Sequence, residues 1–214
     1  MGRYLLRRLN LFLATSLVLI AVLFITTNYF PIDKQYAMTG IEAPTPQQQM
    51  LSREQFKLDS NGFRQFLAYT EQRLSGNLGL SVTSQKPVLD ELTEVLPASF
   101  ELAIVAGLLA VFCGVPLGVL ASLSKNKVTQ HSIMAITLTG YSIPVFWLGL
   151  TLSLWFGVEL GWLPISGRLN LLYEIDPVTG FMLIDTLLSQ SIYRASAFLD
   201  ALLHIVLPAI TFAV

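Results

Sequence analysis

Charge is what this sequence lacks most. Only 13% of its 214 residues are Asp, Glu, Lys or Arg, about half the share of an average soluble domain. The net charge is −1, and there is no basic stripe of the kind that binds nucleic acid. Cysteine occurs once, at Cys113, which excludes an intrachain disulfide. Its apolar surroundings read as those of a small buried hydrophobe. Histidine occurs twice, at His131 and His204. No G-x-x-x-x-G-K-[ST], H-E-x-x-H or C-x-x-C pattern is present, so nucleotide hydrolysis by a P-loop and zincin-type chemistry have no footing here. Ser142 lies in GYSIP, which is not a nucleophile elbow. Ser122 to Lys125 fits S-x-x-K, but its partner motifs are missing. No catalytic residue and no cofactor or metal site is expected.

What remains is apolar. Hydrophobic residues make up 53%, and the mean hydropathy is +0.61. Leu9 to Phe30, Leu102 to Leu123 and Ile133 to Val158 carry no charge. Each is long enough to cross a bilayer as a helix, which takes roughly 20 residues. A fourth run starts near Leu199 and is still apolar at Val214. The pattern reads as an all-α integral membrane protein, a polytopic helical bundle that is incomplete. Spans are expected at 9–30, 102–123 and 133–158, with the start of a fourth at 199–214. The first run exceeds a signal-peptide h-region and lacks an A-x-A site, so it is read as a retained span. The short fourth run leads to the expectation that this chain is a fragment, able to insert but not to transport by itself.

Charge orients the spans. Residues 1–8 carry Arg3, Arg7 and Arg8 and no acid, and the short loop 124–132 carries Lys125, Lys127 and His131 and no acid. Residues 31–101 hold six Lys/Arg against nine Asp/Glu, and 159–198 hold two against four. Positive charge stays on the cytoplasmic side. The N-terminus and the loop 124–132 are therefore expected inside, and 31–101 and 159–198 outside. Tyr29, Phe30, Trp155 and Trp162 fall where an outer aromatic belt belongs.

Within the first outer segment, Phe63, Phe66, Leu67 and Leu74 recur at helical spacing between Arg64, Gln65, Glu71 and Gln72, predicting a short amphipathic helix over Gly62 to Leu74. Asp90, Glu91, Glu94 and Glu101 read as a solvated face leading into the second span. Asp200 and His204, at i, i+4, can pair on one helical face. They read as an interfacial polar pair, with a substrate or proton site as the sharper alternative.

The third span holds a helix breaker. On one straight helix, Thr137, Gly140, Tyr141, Pro144, Leu148, Thr151 and Trp155 fall on a single stripe. Pro144 frees the carbonyl of Gly140, which is tolerated at membrane depth only beside protein or water. Thr137, Gly140, Tyr141, Pro144 and Thr151 are therefore candidate pathway residues, though kinked helix packing accounts for them equally. Gly114 and Gly118, flanking Pro116, form a small-residue pattern that suits close helix packing.

GYSIPVFWLGL and GWLPISGR (Gly161 to Arg168) resemble the permease subunits of peptide-type ABC importers. YLLRRL near the N-terminus, GNLGLSV (Gly76 to Val82) and TGFMLIDTLL (Thr179 to Leu188) extend the likeness in family order over nearly the whole chain. LLYEIDPVTGF (Leu171 to Phe181) is most similar to the Sap type, associated with antimicrobial and other peptides and in places with haem or polyamine; the dipeptide branch is next. The resemblance implies a type I importer permease in the bacterial inner membrane. It implies as partners a second permease subunit, two ATPase subunits, a periplasmic substrate-binding protein and the lipid bilayer. It also implies six spans, an outer scoop-like insertion between the first two, and a cytoplasmic coupling loop after the fourth. A non-transporting assembly or anchoring protein remains the alternative. An intramembrane hydrolase would need a Ser beside a His.

Overall fold

The computed structural model describes residues 2–29, 36, 39–41, 44–81 and 83–214, without the side chains of 28 and 29. These fold as helices, with no strand among them beyond an isolated bridge between Leu80 and Pro87. The protein is all-α and carries helices long and apolar enough to span a membrane. Two units divide at Thr93 and Glu94.

The first unit is built on α1 (Gly2–Tyr29). Phe30 and Val82, at the ends of two segments singled out in the sequence, lie outside the described residues. Helix α2 (Pro46–Gln55) opens on a capping box, with Thr45 and Gln48 each satisfying the other's backbone N–H. Helix α3 (Gly62–Leu74) forms over the residues expected, started by the Asn61 side chain accepting from Arg64 N. Its buried face differs from the expected one. Gln65, Ala68 and Tyr69 are buried, while Phe63, Leu67 and Leu74 are exposed. The reason is tertiary: Phe24 of α1 and Phe56 approach from the Tyr69 side. Buried Gln65 is accommodated because its Nε2 donates to Leu58 O and Ser60 O.

The second unit holds the rest of the apolar helices. Helix α4 (Val88–Leu123) is 36 residues long, about 54 Å at 1.5 Å per residue. It starts well before the expected span, so Asp90, Glu91, Glu94 and Glu101 ride on it. Cys113 is exposed on this helix and not buried. Gly114 and Gly118 meet no neighbour: a Cβ added at either finds nothing within 4 Å. The basic loop is shorter than expected, because Asn126 caps α5 (Lys127–Ser142) by accepting from Val128 N.

The third span is not one straight helix. Helix α5 ends at Ser142, α6 runs over Val145–Leu152, and the axes on either side of the break differ by 98°. The cause is local. A residue before proline is driven out of the helical region, and Ile143 sits at φ −79°, ψ 126°. The chain then continues into a π-helical segment, Ser153–Glu159. Helix α7 (Met182–Leu188) and α8 (Arg194–Ala213) complete the unit, α8 packing against both α6 and α7. The fourth apolar helix thus begins at Arg194, five residues before Leu199. Its 20 residues match the length that a bilayer requires.

Candidate functional site

The largest correction to the sequence reading is Glu101. It does not belong to a solvated face: it is buried, at 6% exposure. Its carboxylate accepts from Arg168 Nη2 at 2.8 Å, from Met182 N at 3.1 Å and from Leu183 N at 2.7 Å. Met182 and Leu183 open α7, whose own N-cap, Phe181, offers no side-chain acceptor. The first N–H groups of a helix need partners, and here a carboxylate from α4 supplies them. Arg168 also donates to Gly180 O at 2.8 Å. One ion pair therefore ties α4, the GWLPISGR loop and the start of α7 together.

The same corner holds a second carboxylate. Asp185 accepts from Thr179 N, Thr179 Oγ1 and Gly180 N at 2.6–2.9 Å. Burial pushes its pKa up, but the Thr179 hydroxyl and the backbone donors of Thr179, Gly180 and Val178 together outweigh that. The carboxyl is held below its ordinary value. Gly180 sits at φ +80°, where side chains are disfavoured, and an added Cβ would come within 2.8 Å of Pro97 on α4. TGFMLIDTLL is thus a folded clamp around two acids.

A lowered native pKa means that Asp185 contributes its full stabilisation above the unfolded value of about 3.9. The contribution is lost as pH falls through the lower native value. Asp185→Asn should cost about 1–3 kcal/mol near neutral pH and flatten the acid limb of the stability profile. Thermal midpoints in detergent, measured against pH, read both effects. An unchanged acid limb in the variant would refute this role.

His204 Nδ1 lies 2.8 Å from the backbone oxygen of Asp200, with the Asp200 carboxylate beside it at 3.3 Å. Asp200 Oδ2 also accepts from Asn170 N at 2.7 Å. Asp200 therefore anchors the outer loop to α8, and His204 is turned toward Gly167.

Two cavities flank this cluster. One, of about 270 Å³, is bounded by Glu101, Arg168, Leu183, His204 and Pro208. The other, of about 500 Å³, is bounded by Phe146, Gly149, Pro164, Ile165, His204 and Thr211. The second runs between the bent arm α6 and α8. Gly149 makes the close approach there: a Cβ on it would be 3.3 Å from Thr211 Cγ2.

The candidate pathway residues do not share one face. Thr137, Gly140 and Tyr141 lie on α5 and Thr151 on α6, across the 98° bend at Pro144. A stripe at steps of three and four exists only on an unbroken helix. The hydroxyls of Thr137 and Thr151 donate to their own helix, to Ile133 O and Trp147 O. The Gly140 carbonyl freed by Pro144 accepts instead from Ile143 N at 3.2 Å. Gly140 itself faces Val214, the residue that follows α8, since its Cβ position lies 2.7 Å from Val214 Cγ1. Tyr141 is 86% exposed. The Glu101–Arg168 pair and Gly149 escaped the sequence reading. For the pair, the signal was an acid and a base each embedded in apolar sequence, FELAIV and PISGRLN.

Residues 114–214 match a protein family described as the binding-protein-dependent transport system inner membrane component. The chain is 41% identical over 204 residues to the di/tripeptide transport system permease protein DppB of Pseudomonas aeruginosa, covering 95% of this chain and 60% of that protein. It is 46% identical over 138 residues to the putrescine export system permease protein SapB of Escherichia coli, covering 64% of this chain and 43% of that protein. It is 33% identical over 213 residues to the dipeptide transport system permease protein DppB of Escherichia coli, covering 98% and 62%. The chain thus spans less than two thirds of the length of each of these relatives.

Proposed function

We propose that this chain, whose residues 114–214 match the binding-protein-dependent transport system inner membrane component family, forms part of the permease subunit of an ATP-driven importer of small peptides. The observation that carries this reading is positional. The family-matching segment contains the broken span, the groove between α6 and α8, and the clamp around Glu101's partners. A bent helix arm against a second helix, with a glycine at the contact, is a joint that can rearrange. Importers need such a joint to alternate access.

In this reading the subunit lies in the bacterial inner membrane beside a second permease. Two separate ATPase subunits power it, and a periplasmic binding protein delivers substrate. The N-terminus and residues 124–126 face the cytoplasm. Single cysteines at Gln48 and Ser189, in a Cys113→Ser background, should react with a membrane-impermeant thiol reagent in spheroplasts. One at Asn126 should not. Labelling at Asn126 alone would reverse the topology.

A peptide substrate is favoured over a polyamine by charge. Putrescine is a dication and needs unpaired carboxylates. Among the described residues bounding the two cavities, Glu101 is the one carboxylate, and Arg168 neutralises it. The similarity to a putrescine permease keeps the polyamine reading as the competitor. Deleting the natural gene should abolish uptake of a labelled dipeptide, with rescue by the natural full-length protein. Loss of putrescine movement with dipeptide uptake intact would select the competitor. Loss of neither would overturn transport of both classes.

A further inference from the structure

We propose that α3 is an interfacial helix whose Phe63, Leu67 and Leu74 side chains sit in the acyl-chain boundary of the bilayer. Helix α3 already has one buried side, where Phe66 and Tyr69 pack on Phe24 of α1 with ring centroids 5.5 and 5.6 Å apart. Three of its other apolar side chains are left exposed. Phe63, Leu67 and Leu74 are 69%, 51% and 77% exposed. At 100° per residue they fall within about 40° of one another, and so form a line along the helix. Arg64 and Glu71 lie to one side of that line, where charges of an interfacial helix reach the headgroups.

The depth of α1 identifies what covers this line. Its charge-free run begins at Leu9, after Arg7 and Arg8. Roughly 20 residues of helix cross the hydrocarbon, which brings the far boundary to the level of residue 28. Phe24 is then about 6 Å inside that boundary at 1.5 Å per residue. Ile20, packed against the same cluster, is one turn deeper. A helix clasped to α1 at Phe24 therefore lies at the boundary between headgroups and acyl chains. Its exposed apolar side meets lipid there. Helix α2 carries a Gln-rich sequence, PQQQMLSREQ, which suits the aqueous side of the same unit.

The test uses the natural full-length protein, in vesicles of phosphatidylethanolamine and phosphatidylglycerol. An environment-sensitive fluorophore is attached to single cysteines replacing Phe63, Leu67, Leu74, Arg64 or Glu71, with a cysteine at Val18 of α1 as the lipid reference. Lipid carrying a doxyl group near the headgroup end of its chain should quench the probes at 63, 67 and 74 about as strongly as the reference. Quenching should be several-fold weaker at 64 and 71. A blue-shifted but unquenched probe on the apolar line would mean that protein covers it. A red-shifted probe quenched by iodide would mean that water does. Either result overturns the proposal. A readout without substitutions guards against misfolded variants: photoactivatable lipid should crosslink the wild-type protein within the peptide spanning Phe63 to Leu74, and absence of that crosslink counts against the proposal too.

Discussion

Replacing Glu101 by Ala should lower stability by about 1–3 kcal/mol, the cost of leaving buried donors without their acceptor. Three donors lose their acceptor at once: Arg168 Nη2, Met182 N and Leu183 N. The two backbone groups open a short helix that has no other cap. The guanidinium is left facing Gly180 O and an apolar cavity wall. Arg168→Leu should be milder. Glu101 keeps two backbone donors in that variant, and the Arg168 side chain is 37% exposed, so solvent already shares in its charge. Thermal or denaturant unfolding of the full-length protein in detergent should therefore rank Glu101→Ala well below Arg168→Leu. Equal losses, or a larger loss at Arg168, would show that the guanidinium and not the carboxylate organises this corner.

On the proposed reading as a peptide permease, Gly140→Leu should cut uptake severely at equal protein level, while Ile143→Leu should leave it near wild type. A methyl at Gly140 would already sit 2.7 Å from Cγ1 of Val214, the residue that follows α8. A leucine adds three more carbons, and overpacking of that kind costs about 1–3 kcal/mol. The strain falls next to the 98° bend, where it would disturb the angle between the two arms. Ile143 keeps its volume as Leu and is only half-buried in the extended link. Uptake of a labelled dipeptide in a permease-deleted strain separates the two. Equal uptake would remove Gly140 from the set of positions that matter to transport.

Both expectations rest on features that differ in how far the sequence reveals them. Helix α3 was readable from apolar residues recurring at helical spacing, and the structure adds the Asn61 cap that starts it. Its buried face was not. Gln65 and Tyr69 are buried because Phe24 and Phe56 come to them, and no local pattern states where a partner stands. Pro144 announced a break in the third span. The stripe drawn through it failed because spacing arguments assume a continuous axis, and the pre-proline residue Ile143 ends that continuity. Glu101 was read with Asp90, Glu91 and Glu94 as one solvated face. Those acids precede it on the same helix, whereas its neighbours in space are the start of α7 and an arginine 67 positions away.

The sequence alone therefore determined the membrane class, the number and rough position of the apolar runs, the helix punctuation and the family likeness. Each of these depends on composition or on residues within a few turns of one another. Tertiary structure alone decided which acid is buried, what caps α7, how sharply the broken span turns, and which sides of α3, α4 and α8 are left open. These depend on which distant segments meet. A buried carboxylate persists only where donors converge on it, and that convergence is a property of the folded chain.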